Sequence, residues 1–388
     1  MTNNLPDALS LTQELVREET VVPIATPALD ILEKHLGNAG FTITKLPFSE
    51  DGYDDTDNLY AQIGSGTPHL CFAGHVDVVP TGPVDDWSHA PFSGDIADGK
   101  LYGRGTADMK GGVACFASAA MKYVAETPDF KGTLSFLITG DEEAVAINGT
   151  PKMLNWLNEQ NIKLDHCIVG EPSNPSYMGE EIKVGRRGSM LGTLTMYGTQ
   201  GHIAYPERAD NPMPRVAAVL NRLCNDVLDE GTNLFQPSNL EVTSVDVGNE
   251  AHNMLPQSAR IKFGIRYNTC HDFDSLEALL KQKFDAVHDE FGGRYEVEYF
   301  RSGEAFYTED KMLTRLVSDA VEKHAGKRPK LSTAGGTSDA RFIKNHCAVV
   351  EFGLVGATMH KIDEHVEVKD IAVLADIYHE IISNYFKV

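Results

Sequence analysis

Two textures of apolar and polar positions divide this 388-residue chain. Up to about residue 180, short continuous apolar runs alternate with stretches of helical spacing. Residues 5–18 and 27–39 repeat apolar positions three and four apart, which predicts helices. Thr26-Pro27 suits the first turn of the second helix, and Gly37 and Gly40 sit near its end. Residues 41–46 and 58–63 alternate as strands. Leu70-Cys71-Phe72-Ala73 is apolar throughout and reads as a buried strand, as do Gly132–Thr139 and residues 165–169. Helices are expected up to about Glu126 and over 151–160. Beyond residue 180 the pattern changes. Residues 184–197, 240–247 and 260–268 read as strands, with helices near 212–229 and 273–290. That β-α-β-β-α-β order fits an α+β sandwich of the ferredoxin-like kind. The first texture resumes near Phe306, with a helix over 309–324, a strand over 348–352 and a helix from about Lys369. The expected architecture is an α/β domain, residues 1–181 and 302–388, interrupted by an α+β domain over 182–301.

Composition narrows the possible functions. Apolar residues make up 42% of the chain, and no run approaches a membrane span. The formal net charge of −22 disfavours nucleic acid and anionic membrane surfaces, both of which need basic patches. An anionic small molecule stays possible, because a pocket can be locally positive. The six cysteines are scattered without a CxxC pair, so a thiolate zinc site is not expected and most read as reduced core residues. Residues 1–7 carry no basic segment followed by an apolar one, which predicts a cytoplasmic protein.

The candidate chemistry collects where strands end. His75 and Asp77 close the first buried strand, and residues two apart in an extended chain share a face. Asp77 can therefore accept the second ring N–H of His75, as ligating histidines require. A core histidine with a capping aspartate is an equally ready reading of that stretch alone. Asp108 lies in the Gly-rich loop Gly103-Arg104-Gly105-Thr106-Ala107-Asp108-Met109-Lys110-Gly111-Gly112, which has neither GxGxxG nor GK[ST] spacing. It suits a tight turn around a ligand-bearing side chain, or a simple helix cap. Gly132–Thr139 runs into Asp141-Glu142-Glu143, three acids that repel unless cations sit nearby; a solvated acidic turn is the alternative. The next apolar strand ends in Gly170-Glu171, and His360 follows the last one. In α/β sheets the carboxyl edge is where ligands bind. His75, Asp108, Glu143, Glu171 and His360 together are donors suited to two metal ions, with Glu142 left over as an acid–base group. Metal-assisted amide hydrolysis is the chemistry such a set supports.

GHVDVVP, YGRGTADMKGG, GDEE, GEP and the late Met359-His360 resemble, in order and over nearly the whole chain, the metal-dependent aminoacylase and carboxypeptidase superfamily. VGRRGSMLGTLTMYGTQGHIAYPERADNP, HNMLPQSARIKFGIRYN and LSTAGGTSDARF resemble its desuccinylase branch, while the stretch 177–181 departs from the pattern. The resemblance implies a zinc-peptidase-like catalytic domain, with a mixed central sheet flanked by helices, and an inserted lid that dimerises. It implies two Zn2+ per subunit, replaceable by Co2+, held by His75, Asp108 (bridging), Glu143, Glu171 and His360. Asp77 is then the orienter, Glu142 the base, and His202 the group that stabilises the oxyanion, supplied by the other subunit of a homodimer. Arg186 and Arg266 would clamp carboxylates. Tyr205, Asn253, Gly336, Thr337 and Ser338 would add substrate contacts. The implied substrate is N-succinyl-LL-2,6-diaminopimelate. Deacetylases and dipeptidases of the superfamily share the metal motifs, so those alone leave the acyl group open. A non-catalytic relative would have no need of Glu142.

Overall fold

The computed structural model describes residues 5–387; Met1–Asn4 of the N-terminal stretch read above lie outside the described residues. The chain forms two compact units. One comprises Met1–Val184, Thr308–Ser332 and Ser338–Val388, the other Gly185–Tyr307 and Thr333–Thr337. The short loop 333–337 thus belongs with the inserted unit, although it lies far from it in sequence.

In the first unit the described residues form an eight-stranded sheet in the spatial order Thr42–Lys45, Leu59–Ser65, Gly132–Thr139, His69–His75, His166–Val169, Ala348–Glu351, Glu181–Lys183, Lys330–Ser332. The four strands from Gly132–Thr139 to Ala348–Glu351 run parallel, and antiparallel neighbours flank them on both sides. All seven residues of His69–His75 and all eight of Gly132–Thr139 are buried, so these strands are covered on both faces and carry no alternation. The strands that follow His69–His75 in sequence lie on its two opposite sides. A crevice opens outside the carboxyl end where a sheet grows in both directions. His75 sits at that end.

Phe72, at the middle of this strand, is fully buried against Phe116, Phe136 and Tyr378, with ring centroids 4.3, 6.0 and 5.8 Å away. Phe116 and Tyr378 belong to the helices Gly111–Glu126 and Val368–Tyr385, which pack on each other. Losing such a ring costs about 3–5 kcal/mol. The helix Gly111–Glu126 approaches the next strand end so closely that a Cβ on Gly112 would lie 2.4 Å from the Gly170 carbonyl oxygen. Glycine there lets the Asp108 loop and the Gly170-Glu171 strand end meet.

In the second unit, four antiparallel strands stand in the order Asn239–Asp246, Ser258–Tyr267, Gly188–Tyr197, Arg294–Gly303. With the helices Met213–Asn225 and Phe273–Phe291 they complete the ferredoxin-like arrangement. Ser258–Tyr267 alternates buried and exposed positions, because one face packs on the two helices. The fourth strand, Arg294–Gly303, alternates just as clearly in sequence but was not among the expected strands. The edge strand Lys330–Ser332 was also missed; it has three residues and leaves two of them exposed. All six cysteines are free. Cys71, Cys115 and Cys167 are core residues, but Cys224 and Cys270 are exposed.

Candidate metal centre

The first unit brings together the five donors read from the sequence. His75 ends its strand, Glu171 follows His166–Val169, and Glu142 and Glu143 follow Gly132–Thr139. Asp108 and His360 come instead from loops. Asp108 (φ −125°, ψ 96°) interrupts the helical path of residues 106–110, and His360 holds a left-handed φ of 61°, strained for a residue with a Cβ. His75 Nε2 lies 3.2 Å from Asp108 Oδ1 and 3.8 Å from Glu171 Oε1. His360 Nε2 lies 3.3 Å from Asp108 Oδ2 and 2.8 Å from Glu143 Oε1. The two Asp108 oxygens therefore serve separate imidazoles. Two donor groups result, His75–Asp108–Glu171 and Asp108–Glu143–His360, each with ligand atoms within 4.8 Å of one another. His75, Glu142 and Glu143 form a third such group, and Glu142 is the acid absent from the first two.

Asp77 departs from its expected geometry. His75 Nδ1 pairs with the backbone carbonyl of Asp77 at 2.9 Å, while the carboxylate oxygen is 3.6 Å away. The Asp77 side chain instead accepts the backbone N–H of Glu143 at 2.9 Å and, more weakly, that of Glu142 at 3.4 Å. The reason is local. The strand stops at His75, so the two-residue repeat that would stack the side chains no longer holds. Asp77 thus secures both the histidine and the acidic turn. Asp141, the first acid of that turn, is used up internally: its carboxylate accepts from the N–H groups of Ala146 and Asn148.

The electrostatics are those of a crowded acidic site. Burial pushes the Glu142 carboxyl up to about 8; the His75 charge opposes this, and Asp339, Glu143 and Asp108 reinforce it. Burial likewise raises Asp77 to about 6, against the pull of His75 and the two turn N–H groups. Glu171 is raised well above the carboxylate range by burial and by Asp108 and Glu142. For Asp108 burial works the same way, yet hydrogen bonds from His360 and His75 hold it below its ordinary value. Hydrogen bonds to Asp108 and Glu143 carry His360 up to about 10. Two imidazoles among so many carboxylates need added positive charge, which protons or cations can supply. The donor set, imidazole and carboxylate without thiolate, fits zinc-like ions.

Apart from Ser338, the remaining site residues belong to the second unit. His202 pairs across a two-residue ladder with Met254 and is exposed, its Nδ1 accepting the Ala204 N–H at 3.1 Å. Tyr205 stands beside it, rings 5.8 Å apart, and the Asn253 carbonyl accepts the Ile203 N–H. Arg266 donates to Ser189 Oγ at 2.7 Å. Arg186 lies over the 333–337 loop, where a Cβ on Gly335 would sit 2.4 Å from its Nη1. Gly336 is exposed and Thr337 half-buried. Ser338 is buried in the first unit, its hydroxyl donating to Glu351 Oε1 at 2.6 Å. Arg187, the neighbour of Arg186, donates to the Asn239 side-chain amide oxygen at 2.8 Å. Sequence reading passed over Glu351 and Asp339, buried near the cluster, and the pair Arg104 and Glu364; a charge inside an otherwise buried stretch is the only local sign of any of them.

Residues 71–384 match Peptidase family M20/M25/M40. The chain belongs to that family. It is 52% identical over 385 residues to the succinyl-diaminopimelate desuccinylase of Rhodopseudomonas palustris (strain BisA53), across 98% of this chain and 99% of the relative. The protein of that name from Parvibaculum lavamentivorans is 53% identical over 380 residues, across 98% of this chain and 96% of its own. Among solved structures, the aminopeptidase PepT of Bacillus cereus aligns with a TM-score of 0.80 at 21% identity, covering 98% of this chain and 99% of that one. The Bacillus subtilis YXEP protein, described as a dinuclear metal binding peptidase, aligns with a TM-score of 0.71 at 14% identity over 98% of each chain. Among the described residues no helix is long and apolar enough to cross a membrane.

Proposed function

We propose that this protein hydrolyses the amide of N-succinyl-LL-2,6-diaminopimelate to succinate and LL-2,6-diaminopimelate. The observation that carries the reading is the sharing of Asp108, one oxygen beside each histidine, with the spare acid Glu142 alongside. The half-identical relatives named for desuccinylation favour succinyl over acetyl or peptide substrates. His75 and Glu171 would hold one Zn2+, Glu143 and His360 the other, and Asp108 both; Co2+ would serve in their place. Bound there, the ions would polarise the amide carbonyl and lower the pKa of a water to about 7. Glu142 takes the proton of the attacking water and delivers it to the departing amine. Asp77 orients His75 and holds the turn that presents Glu142. Arg186 and Arg266 orient the substrate through its carboxylates, with Tyr205, Asn253, Gly336, Thr337 and Ser338 as further contacts. His202 of the partner subunit supports the developing oxyanion in a homodimer. A cytoplasmic location accords with six unpaired cysteines.

Turnover of N-succinyl-LL-diaminopimelate, N-acetylornithine and a dipeptide by metal-reconstituted protein tests the proposal. The succinyl substrate is expected to give the highest kcat/KM. A higher value on either competitor would reassign the substrate, and no hydrolysis of any would remove the enzyme reading.

A further inference from the structure

We propose that the buried pair Arg104–Glu364 is a positioning device that sets the loop-borne half of the metal centre, Asp108 and His360. This rests on the metal-centre reading above. Glu364 is fully buried and Arg104 nearly so. Glu364 Oε2 accepts from Arg104 Nη1 at 2.7 Å. Its other oxygen, Oε1, accepts the backbone N–H of Ala107 at 2.9 Å and of Asp108 at 3.2 Å. Arg104 also donates to main-chain carbonyls, while its buried Nε has no hydrogen-bond partner. Nη1 also reaches Lys361 O at 3.1 Å, and Nη2 reaches Pro80 O at 3.2 Å. The Trp87 ring covers the guanidinium at 5.2 Å.

These contacts join three segments that matter. Pro80 follows the His75–Asp77 stretch, Ala107 and Asp108 form the Gly-rich loop, and Lys361 is next to His360. The donors fall into two kinds. His75 and Glu171 stand at or just beyond the ends of parallel strands, and the sheet fixes them. Asp108 and His360 lie on loops, and no ladder holds either in place. His360 also holds a left-handed φ of 61°, a conformation that its surroundings must over-determine. The Arg104–Glu364 pair contacts those two loops and holds them to each other.

Stability is a poor reason for such a pair. Two charges taken from water cost several kcal/mol each, and packed apolar residues often do as well or better. A planar guanidinium with fixed donors is, by contrast, well suited to holding several backbone carbonyls at set distances. The pair is buried, and it would act through the donors it positions. Its effect should appear as metal affinity at the Asp108–Glu143–His360 group, because residues behind ligands typically govern a 10–100-fold range of affinity.

Two variants and two measurements test this. In Glu364→Gln the side-chain shape and one acceptor remain, but the charge holding Arg104 is lost. In the double variant Arg104→Met with Glu364→Leu, the ionic pair becomes an apolar one. Co2+ is titrated into metal-free protein with calorimetry and visible spectra, which separate the two binding events. Thermal unfolding of the metal-free proteins is recorded alongside. The expected result is that one binding event weakens about 10–100-fold while the other changes much less, with the metal-free double variant melting no lower than the parent. High Co2+ should then restore kcat toward the parent value. If the parent binds two Co2+ and both variants match its affinities, the positioning role is overturned. Equal loss at both events with a lowered melting temperature would also overturn it, as the mark of a stability role. If the parent itself binds fewer than two Co2+, the metal-centre reading fails first.

Discussion

Replacing Asp77 with Asn tests whether that carboxylate serves the histidine or the acidic turn. Geometry favours the turn: the carboxylate accepts the Glu143 N–H at 2.9 Å, whereas His75 Nδ1 is satisfied by the Asp77 backbone carbonyl, which any residue supplies. An amide at this position keeps one acceptor but turns an NH2 toward backbone donors. The Glu142 bond, at 3.4 Å, is long enough to neglect. The loss is then one charge-assisted bond, about 1.5–3 kcal/mol, or 10- to 150-fold in an equilibrium constant. Because the turn carries Glu143, that loss should appear in metal affinity at the Glu143–His360 group. The His75–Glu171 group should weaken less, since His75 keeps its orienting bond. Stepwise Co2+ binding by calorimetry measures both constants. Preferential weakening at the His75–Glu171 group, with the Glu143–His360 group intact, would refute the reasoning and restore Asp77 as a side-chain orienter.

Four further outcomes are expected. Glu142→Ala should keep both metals yet lose about 10²–10⁴-fold in kcat, while Glu143→Ala should lose metal; elemental analysis with kinetics decides, and equal metal loss would remove the distinction. Arg186→Lys or Arg266→Lys should lower kcat/KM on the succinyl substrate far more than on a simple acetyl amide, because the two-pronged grip on a carboxylate is lost; equal loss on both would indicate a folding role. Refolding Glu142→Ala with His202→Ala as mixed dimers should recover about a quarter of normal activity if His202 acts across subunits, since about half the dimers are mixed and each has one whole site; no recovery, with mixed dimers detected by mass spectrometry, would place it in its own subunit. Burial lowers the pKa of His69, whose ring nitrogens are engaged by Lys163 O and Ser135 Oγ. A depressed base in the folded state contributes stability that is full above about pH 6.5 and falls as pH drops toward the folded value, by at most about 1.4 kcal/mol per pH unit; melting curves of His69→Asn should show a shallower acid slope, and identical slopes would exclude this histidine.

The sequence by itself determined the elements whose burial is uniform or periodic. Strands His69–His75 and Gly132–Thr139 were legible because both faces are covered, which demands unbroken apolar runs. The carboxyl-edge acids and both histidines were legible because each follows such a run or stands in a motif resembling a known family. Other features depended on contacts between segments far apart in the chain. Nothing local says that each Asp108 oxygen serves a different histidine, or that the Asp77 carboxylate reaches past its own histidine to the turn at Glu143. Arg104 and Glu364 are separated by 260 positions and look like ordinary loop charges until the fold buries them together. Local pattern records how often a residue meets solvent. Which charge meets which is decided by the order of strands in the sheet and the path of the loops between them, and only the tertiary structure specifies those.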